Sequence, residues 1–332
     1  MPALAVAHAL RAEEPGAEIL LAGRAAGTEA RLVTAAGFRF EGVHVRGLDR
    51  DAVWKNLALP ALLPAALARG LRIVDGFKPD VVLGMGGYAM APAVAAARLR
   101  RVAYVLHEKD VRPGLATRLF AGSAAAVCTT LPGTEARLPG VHCVLTGVPV
   151  RQEFQPRRPE VPPRRLLIMG GSQGARRLNQ AVWQVLDQLC ERFEEVIHLA
   201  GRQGADEIAK RARPGYTAFA FSDEIPQLMG RADLVVSRAG VGAIAEAAVV
   251  GLPSILVPGT FGGRHQELNA KAVVEAGAAV AVPDAEFDGR RLLQELDALT
   301  PEELKAMAAA QQKLARPDAA ARVLAVLREV AG

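Results

Sequence analysis

The sequence predicts an α/β protein with parallel sheets covered by helices and split into two halves. Short apolar runs alternate with longer Ala-rich amphipathic runs along all 332 residues, which is the rhythm of strands joined through helical crossovers. The run QPRRPEVPPR at 155–164 breaks that rhythm. Proline has no N–H and a fixed φ, so this run builds neither a strand interior nor a helix and reads as a stiff connector. The length suits two cores rather than one, and the expected domains are 1–150 and 151–332, with the last helix free to pack back on the first.

Taken in order, residues 4–11 read as the first helix of a βαβ unit, although no strand precedes them. Strands are expected at 18–22, 81–83, 103–106 and 125–128, then at 166–169, 196–199, 234–237 and 254–257, with helices between most of them. Each is a short apolar run, as strands buried on both faces of a parallel sheet require. Residues 54–77, from Trp54 to Phe77, mix Leu57, Leu59, Leu62, Leu63, Leu67, Leu71 and Ile73 with Lys55, Arg69 and Arg72. That pattern suits a membrane interface with arginines on anionic lipid. It equally suits a buried helix pair kinked at Pro60 and Pro64. Asp49-Arg50-Asp51 has the Asp-x-Asp form of metal-dependent sugar transferases but follows no convincing strand, and it reads as a loop.

Composition narrows the function. The net charge is +5, carried by dispersed basic residues without an aromatic-interleaved basic stripe, so nucleic acid is not expected as a partner. Anionic lipid or a phosphorylated substrate fits this charge better. Cys128, Cys143 and Cys190 make no paired framework, which points to a reducing compartment. No apolar run reaches membrane-spanning length and no signal-peptide pattern opens the chain, so a cytosolic or peripheral protein is expected. There is no His/Cys cluster with zinc spacing, and neither a metal nor a cofactor is expected.

The chemistry-bearing residues follow strands. Residues 166–179, LLIMGGSQGARRLN, run from a strand through Gly170-Gly171-Ser172-Gln173-Gly174 into a helix. Glycines let backbone approach an anion, and helix N–H groups with the positive dipole end point at it. The spacing is neither a full dinucleotide fingerprint nor a P-loop, so the expectation is a nucleotide diphosphate; a tight connection without ligand has the same form. In Arg238-Ala239-Gly240-Val241-Gly242-Ala243-Ile244-Ala245-Glu246, a second glycine loop opens a helix that carries Glu246. Its carboxylate suits the two hydroxyls of a ribose, or a helix-dipole contact. Gln266 and Asn269, three apart after the polar loop 258–264, suit a polyhydroxylated ligand if the helix has begun, or a solvated helix start. His107-Glu108-Lys109-Asp110 follows the apolar strand 103–106. A rigid strand end is where a general base is held open to a cleft; a solvated turn has the same composition.

Together these strings resemble the MurG family, the undecaprenyl-pyrophosphoryl-muramoyl-pentapeptide N-acetylglucosaminyltransferases of bacterial peptidoglycan synthesis. The resemblance runs through Pro2-Ala3-Leu4-Ala5-Val6-Ala7, Lys78-Pro79-Asp80-Val81-Val82-Leu83-Gly84-Met85-Gly86-Gly87-Tyr88, His107-Glu108, Pro149-Val150-Arg151, the Gly170–Ala175 turn, Ser237-Arg238-Ala239-Gly240, Glu246, and His265-Gln266 with Asn269. It implies a GT-B fold of two Rossmann-like domains facing across a cleft, with UDP-N-acetylglucosamine on the second domain and an undecaprenyl-linked acceptor facing the first. It implies further that Gly171, Ser172, Gln173 and Gly174 hold the diphosphate with Arg151, that Glu246 takes the ribose, and that backbone at Ser222 and at Gly240, Val241, Gly242 and Ala243 holds uracil. His265, Gln266 and Asn269 would read the sugar. Asp110 joins the substrate contacts, and His107, Glu108 and Asp110 are the catalytic candidates. The family's inverting transfer places the enzyme at the cytoplasmic face of the membrane.

The chain departs from the family at four positions: Asp110 and Val148 stand where Asn is usual, Ser222 where Ile is usual and Ala243 where Thr is usual. These departures leave room for a related UDP-sugar transferase with another lipid acceptor, or for a non-catalytic UDP-binding paralogue. The family also has a strand and a Gly-Gly-Thr-Gly-Gly-His loop before the Pro-Ala-Leu-Ala segment. The chain as written is therefore expected to fold less stably than its family and to transfer little sugar. An added upstream strand and loop that brought no gain in transfer would contradict this.

Overall fold

Apolar runs flanked by glycine and proline fold as parallel strands, and the alanine-rich runs between them fold as covering helices. The computed structural model describes residues 2–25, 28–45, 59–171, 174–260 and 264–332. Two units result, one of Met1–Pro149 with Asp318–Gly332 and the other of Val150–Pro317. Asp49-Arg50-Asp51 and residues 54–58 of the amphipathic segment lie outside the described residues.

The first unit runs α1 (Pro2–Glu13), β1 (Leu20–Arg24), α2 (Thr28–Ala35), β2 (Arg39–Val43), α3 (Leu59–Phe77), β3 (Val81–Gly84), α4 (Ala91–Arg100), β4 (Ala103–Glu108), α5 (Leu115–Phe120), β5 (Ala126–Thr129) and β6 (Cys143–Leu145). β1 and β2 pair in parallel, and β3-β4-β5-β6 form a separate parallel sheet in that order. Strand side chains alternate between faces. Tyr104 and Leu106 pack with Met90, Val94 and Phe120, while Val105 packs with Val6 on the other side. Within the described residues of that segment, α3 is a single helix that contains Pro64. Ala66, Gly70 and Val74, four apart, make its buried stripe. A side chain at Gly70 would place Cβ 2.2 Å from the Pro92 carbonyl oxygen, so α3 and α4 meet there backbone to backbone.

The second unit runs β7 (Arg165–Met169), α6 (Arg176–Gln184), α7 (Leu186–Arg192), β8 (Glu195–Leu199), α8 (Ala205–Ile208), β9 (Tyr216–Phe219), α9 (Ile225–Arg231), β10 (Leu234–Ser237), α10 (Val241–Val250), β11 (Ser254–Leu256), α11 (His265–Glu275), β12 (Ala279–Ala281), α12 (Gly289–Ala298) and α13 (Pro301–Leu314). Its sheet has the order β12-β11-β10-β7-β8-β9, all parallel. Leu166 and Ile168 point into one fully buried cluster, Leu167 and Met169 into another. The closing helix α14 (Ala319–Ala331) belongs to the first unit, where Val323, Leu324, Val326 and Leu327 cover Val105, Ala126 and Cys128. The second unit thus ends at Pro317, short of the last residue.

All eight expected strands are present, shifted by a residue or two at their ends. β2, β6, β9 and β12 were not expected. Each lies at the edge of its sheet among the described residues, as the expected β1 and β3 also do, so it is their composition that hides them. Their sequences RFEGV, CVL, YTAF and AVA are correspondingly short or mixed.

The Pro-rich run is not a free connector. It lies inside the second unit, held by Asp233, which is 1% exposed. The Asp233 carboxylate accepts from the backbone N–H of Glu160 (3.1 Å), Arg164 (3.2 Å) and Arg165 (3.0 Å), and from the guanidiniums of Arg165 and Arg157. Arg157 also donates to the Gly230 carbonyl at 2.6 Å. Burial alone would raise the Asp233 pKa, but the Glu160 N–H and the Arg165 and Arg157 guanidiniums outweigh it and hold the group below its ordinary value. A depressed acid contributes stability that is complete above its unfolded pKa of about 3.9 and is lost as pH falls through the folded value. Asp233→Ala strands buried donors and should cost the second unit roughly 3 kcal/mol or more. Asp233→Asn should lose the part of acid denaturation that belongs to this group. Urea melts at neutral and acidic pH check both; a melt unchanged by Asp233→Ala would contradict the assignment.

Candidate active site

The register of the second sheet brings the carboxyl ends of five strands level. Leu256, Ser237, Met169, Leu199 and Phe219 are paired across β11, β10, β7, β8 and β9. The loops that follow therefore emerge along one edge, where open α/β sheets bind ligands. Among the described candidates of the second half, Gly171 and Gly174 follow β7, Ser222 follows β9 and Gly240–Ala243 follow β10.

After β7 the chain turns at Gly170. Its N–H donates to the Leu199 carbonyl at 3.2 Å, and Gly174 N–H donates to the Gly171 carbonyl at 2.9 Å. Gly174 has φ +88°, and a Cβ there would lie 2.5 Å from the Ala200 carbonyl oxygen. Conformation and space both demand glycine at this position. Ser172 and Gln173 lie outside the described residues. α6 starts immediately after, at Arg176, so its first N–H groups have no intrahelical acceptor and face the turn's side.

After β10, Gly240 caps α10 in an extended conformation. The N–H groups of Val241, Gly242 and Ala243 form the first turn, where no intrahelical acceptor exists. Glu246 lies in the next turn. Burial lifts its carboxyl to about 7, even though the Arg151 guanidinium pulls the other way. Arg151 is exposed and donates to the Asp223 carbonyl at 3.3 Å. Ser222 accepts from the Glu224 N–H at 3.0 Å just ahead of α9. Arg151, the 222–224 segment and Glu246 are thus brought together.

The third loop is held by the amides expected to read a sugar. Gln266 Oε1 accepts from Gly259 N–H at 2.8 Å, and Asn269, fully buried, donates from Nδ2 to the Ala239 carbonyl at 3.4 Å. Both join strand-end loops to α11, whose first residue is His265. Sequence reasoning gave no role to Arg238, which bridges two loops: it donates to the Val257 carbonyl at 3.0 Å and pairs with Asp284. Its position directly after a fully buried strand was the available signal.

In the first unit, His107 and Glu108 lie inside the fold. His107 is 1% exposed and its Nε2 donates to the Gly147 carbonyl at 2.9 Å. A carbonyl only accepts, so Nε2 carries the proton, and burial pushes the imidazole below its ordinary pKa. Glu108 accepts backbone N–H groups from Asp110 at 3.1 Å and Gly114 at 2.9 Å, shaping the loop between β4 and α5. Asp110 keeps a partly exposed side chain paired with Lys109. Of the three catalytic candidates, only Asp110 combines a carboxylate with solvent access.

Gly174→Ala should therefore be the most damaging methyl addition in the turn. It adds a left-handed residue strain of about 1–2 kcal/mol to a steric overlap, and both a lower melting temperature and weaker nucleotide retention are expected. A variant that melts and binds like the parent would contradict this geometry.

Known proteins resemble this chain along nearly its whole length. Residues 1–129 match the Glycosyltransferase family 28 N-terminal domain and residues 165–323 the Glycosyltransferase family 28 C-terminal domain. The UDP-N-acetylglucosamine--N-acetylmuramyl-(pentapeptide) pyrophosphoryl-undecaprenol N-acetylglucosamine transferase of Moorella thermoacetica is 39% identical, over 98% of this chain and 94% of its own. The protein of the same name from Desulforudis audaxviator is 37% identical, over 100% and 95%. The crystal structure of Acinetobacter baumannii MurG superposes with a TM-score of 0.81 at 27% identity, covering 99% of this chain and 95% of that one. With two α/β domains of the GT-B type and this likeness along nearly its whole length, the chain belongs to glycosyltransferase family 28, in the MurG family.

Proposed function

We propose that this chain is an inverting hexosyltransferase that moves N-acetylglucosamine from UDP-N-acetylglucosamine to undecaprenyl-pyrophosphoryl-N-acetylmuramoyl-pentapeptide, turning lipid I into lipid II. The names of its relatives supply the two substrates. The observation that carries the reading is the level row of strand ends, with one glycine turn and two helix starts along it and Glu246 and Arg151 beside it. The diphosphate lies on the Gly170–Gly174 turn with Ser172 and Gln173, uracil on the Ser222 and Gly240–Ala243 backbone, the ribose on Glu246, and the sugar beside His265, Gln266 and Asn269.

The acceptor hydroxyl attacks the anomeric carbon as the bond to the UDP oxygen breaks, and its proton passes to a base. Charge grows on the departing diphosphate, where helix N–H groups and Arg151 stabilise it; catalysis is positioning and electrostatics. Asp110 is the acceptor-side carboxylate open to take part. Glu246 must be ionised to accept both ribose hydroxyls, so the KM for the donor should rise as pH falls through about 7. Glu246→Gln should bind weakly without that dependence. Transfer from UDP-N-acetylglucosamine, but not from UDP-glucose or UDP-galactose, to the lipid-linked acceptor is the expected assay result. Equal use of all three donors, or binding without transfer, would overturn the reading.

We further propose a peripheral seat on the cytoplasmic face of an anionic membrane. No described helix is long and apolar enough to cross a membrane. Leu63, Leu99, Leu115 and Leu119 are 54–65% exposed, Leu115 and Leu119 share one face of α5, and Arg98 and Arg118 are exposed beside them in sequence. Leu115→Gln with Leu119→Gln should weaken co-sedimentation with phosphatidylglycerol vesicles. Unchanged binding, or equal binding of the parent to neutral vesicles, would contradict this seat.

A further inference from the structure

Behind the glycine turn runs a buried chain of polar side chains that the reaction itself does not use. Asn179 Nδ2 donates to the Ala200 carbonyl at 2.8 Å, His198 Nε2 lies 3.0 Å from Asn179 Oδ1, and His198 Nδ1 lies 2.8 Å from the Tyr216 hydroxyl. Trp183 Nε1 donates to that hydroxyl at 3.1 Å. Donor and acceptor chemistry fixes every direction. The Ala200 carbonyl only accepts, so Asn179 presents its nitrogen there and its oxygen to His198. Nε2 of His198 therefore carries the proton, Nδ1 accepts the Tyr216 O–H, and the Tyr216 oxygen accepts the indole N–H. Asn179 and His198 are 2% and 0% exposed, and burial pushes the imidazole down to about 3, so a single neutral tautomer persists.

The chain ends on Ala200, the residue against which the turn rests. Gly170 N–H bonds the carbonyl of the preceding residue, Leu199. A Cβ on Gly174 would meet the Ala200 oxygen at 2.5 Å, and a Cβ on Gly204 would meet the Ala200 side chain at 2.6 Å and Asn179 Nδ2 at 3.0 Å. Two glycines, Gly174 and Gly204, close on Ala200 while Gly170 bonds the residue before it, so the direction of the Ala200 carbonyl sets the space left beside Gly174.

We propose that Asn179, His198 and Tyr216 are positioning residues that orient the Ala200 carbonyl and, through it, hold Gly170 and Gly174, the two described ends of the glycine turn, where the donor's diphosphate is received. This rests on the UDP-sugar reading of the turn. A network that merely stabilised the core would affect all ligands alike or none, whereas a positioning network acts on the phosphates alone.

The test compares UDP and uridine as competitive inhibitors against UDP-N-acetylglucosamine in Asn179→Ala, His198→Leu, His198→Gln and Tyr216→Phe, each assayed below its melting temperature. Asn179→Ala and His198→Leu should raise the UDP inhibition constant and the donor KM by about tenfold, leaving uridine within about twofold and kcat less affected than KM. His198→Gln, whose amide nitrogen can replace Nε2 as the donor to Asn179, should recover most of the loss. Where Asn179→Ala does not fold, Tyr216→Phe carries the test, with a smaller rise for UDP only. Equal changes for UDP and uridine, no change in folded variants, or no rescue by His198→Gln would overturn the proposal. If the parent itself bound UDP no better than uridine, the reading of the turn would fail instead.

Discussion

The contact between Gly174 and the Ala200 carbonyl is the constraint on which the strand-end edge of the second unit depends. No side chain fits there, so the loop after β7 lies directly on the loop after β8. That closeness is possible because Met169 and Leu199 are level in the β7–β8 ladder. A shift of one residue would separate the loops and reverse the facing of every strand side chain. Local glycine chemistry and the register of a fully buried sheet thus specify the same geometry.

Around that contact, most polar side chains on the strand-end edge hold loops in place. Gln266 fixes Gly259, Asn269 reaches Ala239, and Arg238 bridges to Val257 and Asp284. Bonded loops of this kind do not have to be ordered when a ligand arrives, which lowers the cost of binding. In the function proposed above, recognition then falls to backbone N–H groups at helix starts and to a small set of charged groups, chiefly Arg151 and Glu246. A nucleoside diphosphate, anionic at one end and hydroxylated at the other, matches that division.

The sequence made the central strands legible because their apolar runs face helices on both sides, as Leu166–Met169 and Leu234–Ser237 do. The edge strands Cys143–Leu145 and Ala279–Ala281 escaped notice because they are only three residues long, whereas the edge strand Val81–Gly84 was legible from its Val-Val-Leu run. The glycine turn was legible from residue types alone as a tight connection between a strand and a helix, which β7 and α6 are. At His107 the letters show less: a histidine at a strand end suggests a base, and nothing in the neighbouring residues shows that the Gly147 carbonyl, forty residues later, accepts its Nε2–H hydrogen bond. Similarly, the prolines of 155–164 indicate an irregular segment, while its attachment to Asp233 depends on a contact about seventy residues away. Long-range hydrogen bonds are what a local pattern omits.

Backbone amide NMR of the 15N-labelled protein during titration with UDP and with uridine is the most direct measurement of where the donor's phosphates bind. UDP should move the resonances of Gly171, Gly174 and Ala175 together with those of Val241 and Gly242, whereas uridine should move only the second group. Glycine-turn resonances that stay still with UDP, or move equally with uridine, would contradict a diphosphate seated on the turn between β7 and α6.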